Sequence, residues 1–96
     1  MIEGLNKHFD SRVRLGVMAL LSIHERVDFN TLKEELGLTD GNLASHITAL
    51  EKNEYLSFEK DFVGKKPRTQ YRITKLGRTE FEKHIQALET LLKQSK

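Results

Sequence analysis

Ninety-six residues are enough for one modest hydrophobic core, and an apolar content of 38% leaves little surplus beyond it. No run approaches the roughly 18 apolar residues of a membrane span, and the first ten residues lack the basic start and apolar block of a secretory signal. The chain has no cysteine, which excludes disulfides, thiolate metal sites and thiol redox chemistry and suits a cytoplasmic protein. A net charge of +2 carries little meaning until it is divided along the chain.

Taken in order, Ile2, Leu5 and Phe9 step by three and four, which predicts a helical turn or two at the N-terminus. Over residues 11–24, Val13, Val17, Leu20, Leu21 and His24 recur near helical spacing and predict the first full helix. A second begins after Val27, with Asp28 or Asn30 as its N-cap and Val27 and Leu32 placed as a hydrophobic staple. Phe29, Leu32 and Leu36 form its buried side, and Gly37 ends it. Thr39 then caps a third helix, again with a staple pair, Leu38 and Leu43. Its apolar stripe is Leu43, Ile47 and Leu50. Two short helices divided only by Gly37 and its neighbours form a helix-turn-helix pattern.

From Leu56 the period changes to two. Leu56, Phe58, Lys60 and Phe62 alternate with Ser57, Glu59 and Asp61, and residues 69–73 read as a returning strand with Tyr71 and Ile73 inward. Residues 63–68 hold Gly64 and Pro67, the only proline, and predict a hairpin loop with a basic tip. Thr74 caps a last helix reaching about Lys93, in which Phe81, Ile85, Leu88 and Leu92 step by four, three and four. Between Lys60 and Arg78 lie seven basic residues and one acidic, a net of +6, and the remainder has nine basic and thirteen acidic, a net of −4. Charge segregated in this way fits a polyanionic partner.

The expected fold is mainly α with a small β-hairpin (α+β), in the winged-helix order of three helices, a hairpin wing and a helix, as one domain over residues 1–96. The run Val13-Arg14-Leu15-Gly16-Val17-Met18, then Leu38-Thr39-Asp40-Gly41-Asn42-Leu43 with Ser45-His46-Ile47, then Phe62-Val63-Gly64-Lys65-Lys66-Pro67-Arg68-Thr69-Gln70-Tyr71, resembles a compact bacterial and archaeal winged-helix family. That family is related to the MarR and ArsR regulators, and the resemblance covers nearly the whole chain. It implies a single-domain transcriptional regulator that binds double-stranded DNA, commonly as a dimer through terminal helices. It also leaves room for a small-molecule effector between protomers, which no residue in the sequence identifies.

The residues themselves support a DNA surface. Thr39 and Asn42 stand at the start of the third helix, where free amides and the helix dipole favour a phosphate. Ser45 and Thr48 lie opposite the apolar stripe with Lys52, small and polar enough to approach base edges in the major groove. Asp40 departs from a purely attractive surface. His46 sits at the edge of the stripe and reads first as a packed residue, with a DNA contact as its second reading. Lys65, Lys66 and Arg68 on the wing are expected to meet the backbone or minor groove. Arg72 and Lys75 read equally as structural residues or phosphate contacts. The stripe Phe81, Ile85, Leu88 and Leu92, joined by Leu5 and Phe9, is expected to form a dimer seam, with terminal helices at about residues 1–10 and 75–95. The four histidines are dispersed, so no metal or other cofactor is expected, and neither is enzymatic activity. The rival readings are a winged helix serving as a protein-interaction module, and a nucleic-acid binder without sequence preference.

Overall fold

The computed structural model describes residues 4–94. A 3-10 turn at Lys7–Phe9 precedes α1 (Arg12–Ile23), β1 (Val27–Asp28), α2 (Phe29–Leu36), α3 (Asp40–Lys52), β2 (Leu56–Val63), β3 (Lys66–Ile73) and α4 (Lys75–Gln94). Among the described residues no helix is long and apolar enough to cross a membrane.

Most boundaries follow from local chemistry. Ser11 caps α1 by accepting from the amides of Val13 and Arg14. Asp28 caps α2 through the Thr31 amide at 2.8 Å, which decides between it and Asn30, and Thr39 caps α3 through the Asn42 amide. At the end of α2, Gly37 takes φ +63°, with Gly37 N–H donating to the Glu34 carbonyl and Leu38 N–H to that of Lys33. That double bond pattern is a Schellman cap. An equivalent cap ends α3, where Tyr55 N–H donates to the Leu50 carbonyl and Glu54 N–H to that of Glu51. Here the left-handed position is occupied by Glu54, at φ +62°.

The core joins Val13, Val17, Met18 and Leu21 of α1 to Leu32 of α2 and to Leu43, Ile47 and Leu50 of α3. Tyr55, Leu56, Tyr71, Phe9 and Phe81 close it from the sheet and the two terminal elements. The N-terminal expectation needs correction. Ile2 lies outside the described residues, and among residues 4–10 the helical turn is the 3-10 turn at Lys7–Phe9, which Asn6 caps through the amide of His8. That segment is held against α4 because Asn6 N–H donates to Nδ1 of the buried His84 at 3.0 Å. His24 belongs to no apolar face: it is exposed and follows the last turn of α1.

The sheet is antiparallel, in the order β1-β3-β2, so the hairpin gains a third strand from the two residues before α2. The wing also differs from the expected loop. Only Gly64 and Lys65 turn, and Lys66, Pro67 and Arg68 are already in β3. Proline is tolerated there because the pair flanking a two-residue turn is hydrogen-bonded, which leaves Phe62 and Pro67 in a non-hydrogen-bonded pair. On its other side β3 meets β1 only at Gln70 and Tyr71.

The corner after α3 is locked to the start of α4. Thr74 N–H donates to the Tyr55 carbonyl, the Thr74 hydroxyl donates to the Glu54 carbonyl, and the same hydroxyl accepts from Gly77 N–H. Gly77 sits so close to Tyr55 that a Cβ there would stand 1.9 Å from the Tyr55 carbonyl oxygen.

Candidate nucleic-acid interface

The buried stripe of α3 leaves its other side to solvent, and Asn42, Ser45, Thr48 and Lys52 are all exposed there. The two hydroxyls are satisfied on the helix itself: Ser45 Oγ donates to the Asn42 carbonyl at 3.0 Å and Thr48 Oγ1 to the Ala44 carbonyl at 2.9 Å. Their protons are engaged, so the oxygens present acceptor lone pairs outward. Thr39 is exposed, but its hydroxyl already serves as the cap. Asp40 is drawn aside by α2, its carboxylate 2.8 Å from the Lys33 ammonium. That hydrogen bond, with the opposite charge, raises the Lys33 pKa above its ordinary value. The acidic residue at the head of α3 is therefore answered by a cation within the chain.

His46 is half-buried, and its Nδ1 accepts from Arg14 Nε at 3.0 Å, which ties α3 to α1. Because Arg14 can only donate, this histidine is neutral with its proton on Nε2. Burial first, and then the Arg14 charge, push its pKa below the usual value. The packed reading thus describes how His46 sits.

On the other flank of α3 stands the wing. Residues directly opposite on β2 and β3 share a face. One face carries Glu59, Asp61, Arg68 and Arg72, joined in ion pairs. Arg68 grips Asp61 with two parallel bonds, Nε to Oδ1 at 2.9 Å and a terminal nitrogen to Oδ2 at 2.7 Å. The bonds to Arg68 hold the Asp61 carboxyl below the ordinary carboxylate range. Arg68 thus lies within β3 and not in the expected loop, and it is answered across the hairpin. Arg72 pairs with Glu59, which takes its structural alternative. Lys65 and Lys66 are exposed and make no ion pair among the described residues, as is also true of Lys75.

The opposite face of the wing carries Phe58, Lys60 and Phe62, and its inner end joins the core at Leu56 and Tyr71. Lys60 Nζ lies 5.9 Å from the centre of the Phe58 ring. Leu56 and Tyr71 on this face share the core with Leu43, Ile47 and Leu50 of α3. Burial raises the Glu51 pKa, and the Lys60 charge partly offsets that rise. The sequence places Lys60 and Phe62 together in the period-two alternation but assigns neither a functional role. The period-two pattern carried the signal that both lie on one side.

The dimer candidates divide. Phe9 and Phe81 are 2% and 7% exposed inside the chain's own core, their rings 5.7 Å apart edge to face. They offer no surface to a second protomer. Ile85 packs partly against the core, Leu5 and Leu88 are half-buried, and Leu92 is 70% exposed.

This geometry meets known proteins along almost its whole length. The model of a winged helix DNA-binding domain family matches residues 13–92. An uncharacterised protein of Methanocaldococcus jannaschii is 39% identical over 87 residues, covering 91% of this chain and 95% of its own. Among solved structures, a transcriptional regulator homologue from Pyrococcus horikoshii is 31% identical with a TM-score of 0.85, over 93% of this chain and 88% of that one. MepR of Staphylococcus aureus, solved as a DNA complex, shares the fold at 14% identity and a TM-score of 0.78, over 97% and 76% of the two chains. Matched over most of its length, the chain belongs to the winged helix DNA-binding domain family.

Proposed function

We propose that this protein is a sequence-specific, double-stranded DNA-binding transcriptional regulator that works as a homodimer and acts most simply as a repressor by occupying a promoter. The observation that carries the reading is the pairing of an exposed, small and polar α3 face with two exposed lysines that make no ion pair among the described residues, at the end of the adjacent wing. The regulator from Pyrococcus horikoshii and the DNA complex of MepR lend it support.

In this reading α3 enters the major groove. Thr39 and Asn42 position its N-terminus at a phosphate, and Ser45, Thr48 and Lys52 face the bases. With their protons engaged on the helix, Ser45 and Thr48 suit bases that donate from an exocyclic amine, adenine or cytosine. Lys65 and Lys66 neutralise backbone phosphates beside the helix. The dimer seam is formed by the exposed Leu92 and the half-buried Leu88 of α4 with the half-buried Leu5.

Selection of bound duplexes from a randomised library at near-physiological salt tests this directly. A recovered palindrome with half-sites about one helical turn apart is the expected result. Recovery of no enriched sequence by well-folded protein sinks the specific-regulator reading. Lys65→Ala with Lys66→Ala is expected to weaken binding to every duplex and to flatten the salt dependence by about one unit per lost phosphate contact.

A further inference from the structure

The wing has two unlike faces. The one bearing Glu59, Asp61, Arg68 and Arg72 is closed by ion pairs and suits water. Along the other, burial falls away with distance from the core. Leu56 is 3% exposed, Phe58 is 47% and Phe62 is 71%. Phe62 is thus a large aromatic side chain uncovered near the end of a hairpin, backed across the strands by the exposed Pro67. Hairpins that project into solvent ordinarily carry polar residues at such positions.

Its surroundings point to an occupant. Lys60 lies on the same face two residues inward, Lys65 follows at the turn, and Lys66, opposite Val63 at the start of β3, flanks the ring from the other face; none of them is in an ion pair among the described residues. The inner end of this face, at Leu56 and Tyr71, is buried in the core together with Leu43, Ile47 and Leu50 of α3. An apolar ring set among unpaired cations, continuous with the exposed flank of a recognition helix, matches a surface that is anionic at its rim and apolar within. Duplex DNA has that character in its minor groove, where sugars and base edges lie between two rows of phosphates.

We propose that Phe62 is an apolar wedge that enters the minor groove flanking the α3 site and presses on a base step, while Lys60, Lys65 and Lys66 hold the phosphates on either side. This rests on the DNA-binding reading above and adds to it a contact that is neither electrostatic nor base-pair coded. A wedge of this kind favours steps that unstack easily, pyrimidine–purine above all, and so contributes preference at positions α3 never reaches. The Gly64-Lys65 turn and the Arg68–Asp61 clasp hold the hairpin in shape, which keeps the ring in place before DNA arrives.

The test uses the full chain and a pool of random-sequence duplexes labelled at both ends for energy transfer, with affinity measured across a range of salt. Phe62→Ala is expected to lose about tenfold or more in affinity. Its salt slope should stay unchanged, because no phosphate contact is removed, and the change in end-to-end transfer on binding should shrink. Phe62→Leu should keep most of both, since leucine can serve as a wedge. Phe62→Ala binding within about twofold of wild type overturns the wedge while leaving the regulator reading intact. A loss of affinity accompanied by a flatter salt slope also overturns it, because the ring would then act only through the lysines. A fall in oligomeric state on Phe62→Ala assigns the face to a second copy of the chain instead. Wild-type protein that binds no duplex at all removes the DNA reading and the wedge together.

Discussion

Two glycines lie in helical first turns, and they should respond to alanine with opposite signs. Glycine in a helix ordinarily costs about 1 kcal/mol relative to alanine, so the naive expectation at both is a gain. At Gly41 of α3 an added Cβ meets nothing within 4 Å, and Gly41→Ala should stabilise by about 0.5 kcal/mol. At Gly77 of α4 the same Cβ would stand 1.9 Å from the Tyr55 carbonyl oxygen and 2.7 Å from its carbon, where approaches under 3.0 Å essentially do not occur. The backbones would have to part by at least about 1 Å, and neither is free to do so. The Tyr55 carbonyl accepts from Thr74 N–H at 3.1 Å, the Tyr55 amide donates to Leu50, and the ring packs 5.3 Å from that of Phe9. Overpacking costs about 1–3 kcal/mol and a lost hydrogen bond about another 1, against the 1 gained from propensity. Gly77→Ala should therefore destabilise by about 1–3 kcal/mol, or roughly 4–24 °C in Tm for a domain of this size. Thermal unfolding by circular dichroism at one fixed protein concentration measures it, since Tm would vary with concentration if the chain dimerises. A Gly77→Ala protein melting at or above the wild-type temperature would refute the close packing of α4 on the α3–β2 corner.

Two other perturbations read different parts of the molecule. His84 and His46 each accept at Nδ1 from a group that can only donate, Asn6 N–H and Arg14 Nε, and burial is the leading cause lowering the pKa of both below the ordinary 6.5. Asp10 raises His84 in part, without reversing the sign. The unfolded chain then binds more protons, so stability is complete above about pH 6.5 and is lost as pH falls through the lower folded values. His84→Asn, whose Oδ1 can replace Nδ1 as an acceptor that does not titrate, should flatten the acid limb of Tm against pH, and a wild-type profile that is flat or rises on acidification would contradict the assignment. Asp61→Asn removes the charge that answers Arg68 and should steepen the salt dependence of DNA binding by about one unit as the guanidinium becomes available to a phosphate. An unchanged slope would mean that Arg68 is out of reach of the backbone.

How much of this was legible depended on whether a feature is made by neighbours in the chain. Asp28, Thr39 and Gly37 announce their caps because the capping residue and the capped amide are at most a few residues apart. The matching cap at Glu54 has the same hydrogen bonds but the wrong residue type for a left-handed backbone, so it gives no signal. Two-residue β1 is set by pairing with Gln70 and Tyr71, more than forty positions away, and has no periodicity of its own. Pro67 was misread for a related reason. Proline marks a loop unless its missing N–H faces an unpaired side, and that is fixed by the register of β2 against β3. The terminal stripe of α4 was legible as apolar but not as to its partner. Phe81 meets Phe9 within the chain, while Leu92, on the same stripe, is 70% exposed.

Charge is where local reading and folded arrangement part most. The basic segment holds three arginines and four lysines, and the fold treats the two kinds differently. Arg68 and Arg72 are bound to carboxylates, and Arg78 donates to the Ser22 carbonyl on α1. Lys60, Lys65, Lys66 and Lys75 make no ion pair among the described residues. Guanidinium is planar and rigid in its donor pattern, which suits a fixed pair across a hairpin, whereas an ammonium on a flexible stem is a point charge that follows a phosphate wherever it lies. Arg68 and Arg72 therefore stiffen the wing across one face, and the lysines are the cations left available to a partner in the proposed reading. On the proposed DNA-binding reading, the wing would supply attraction with little regard to which bases lie beneath its lysines, and discrimination by hydrogen bond would be left to the small polar residues of α3.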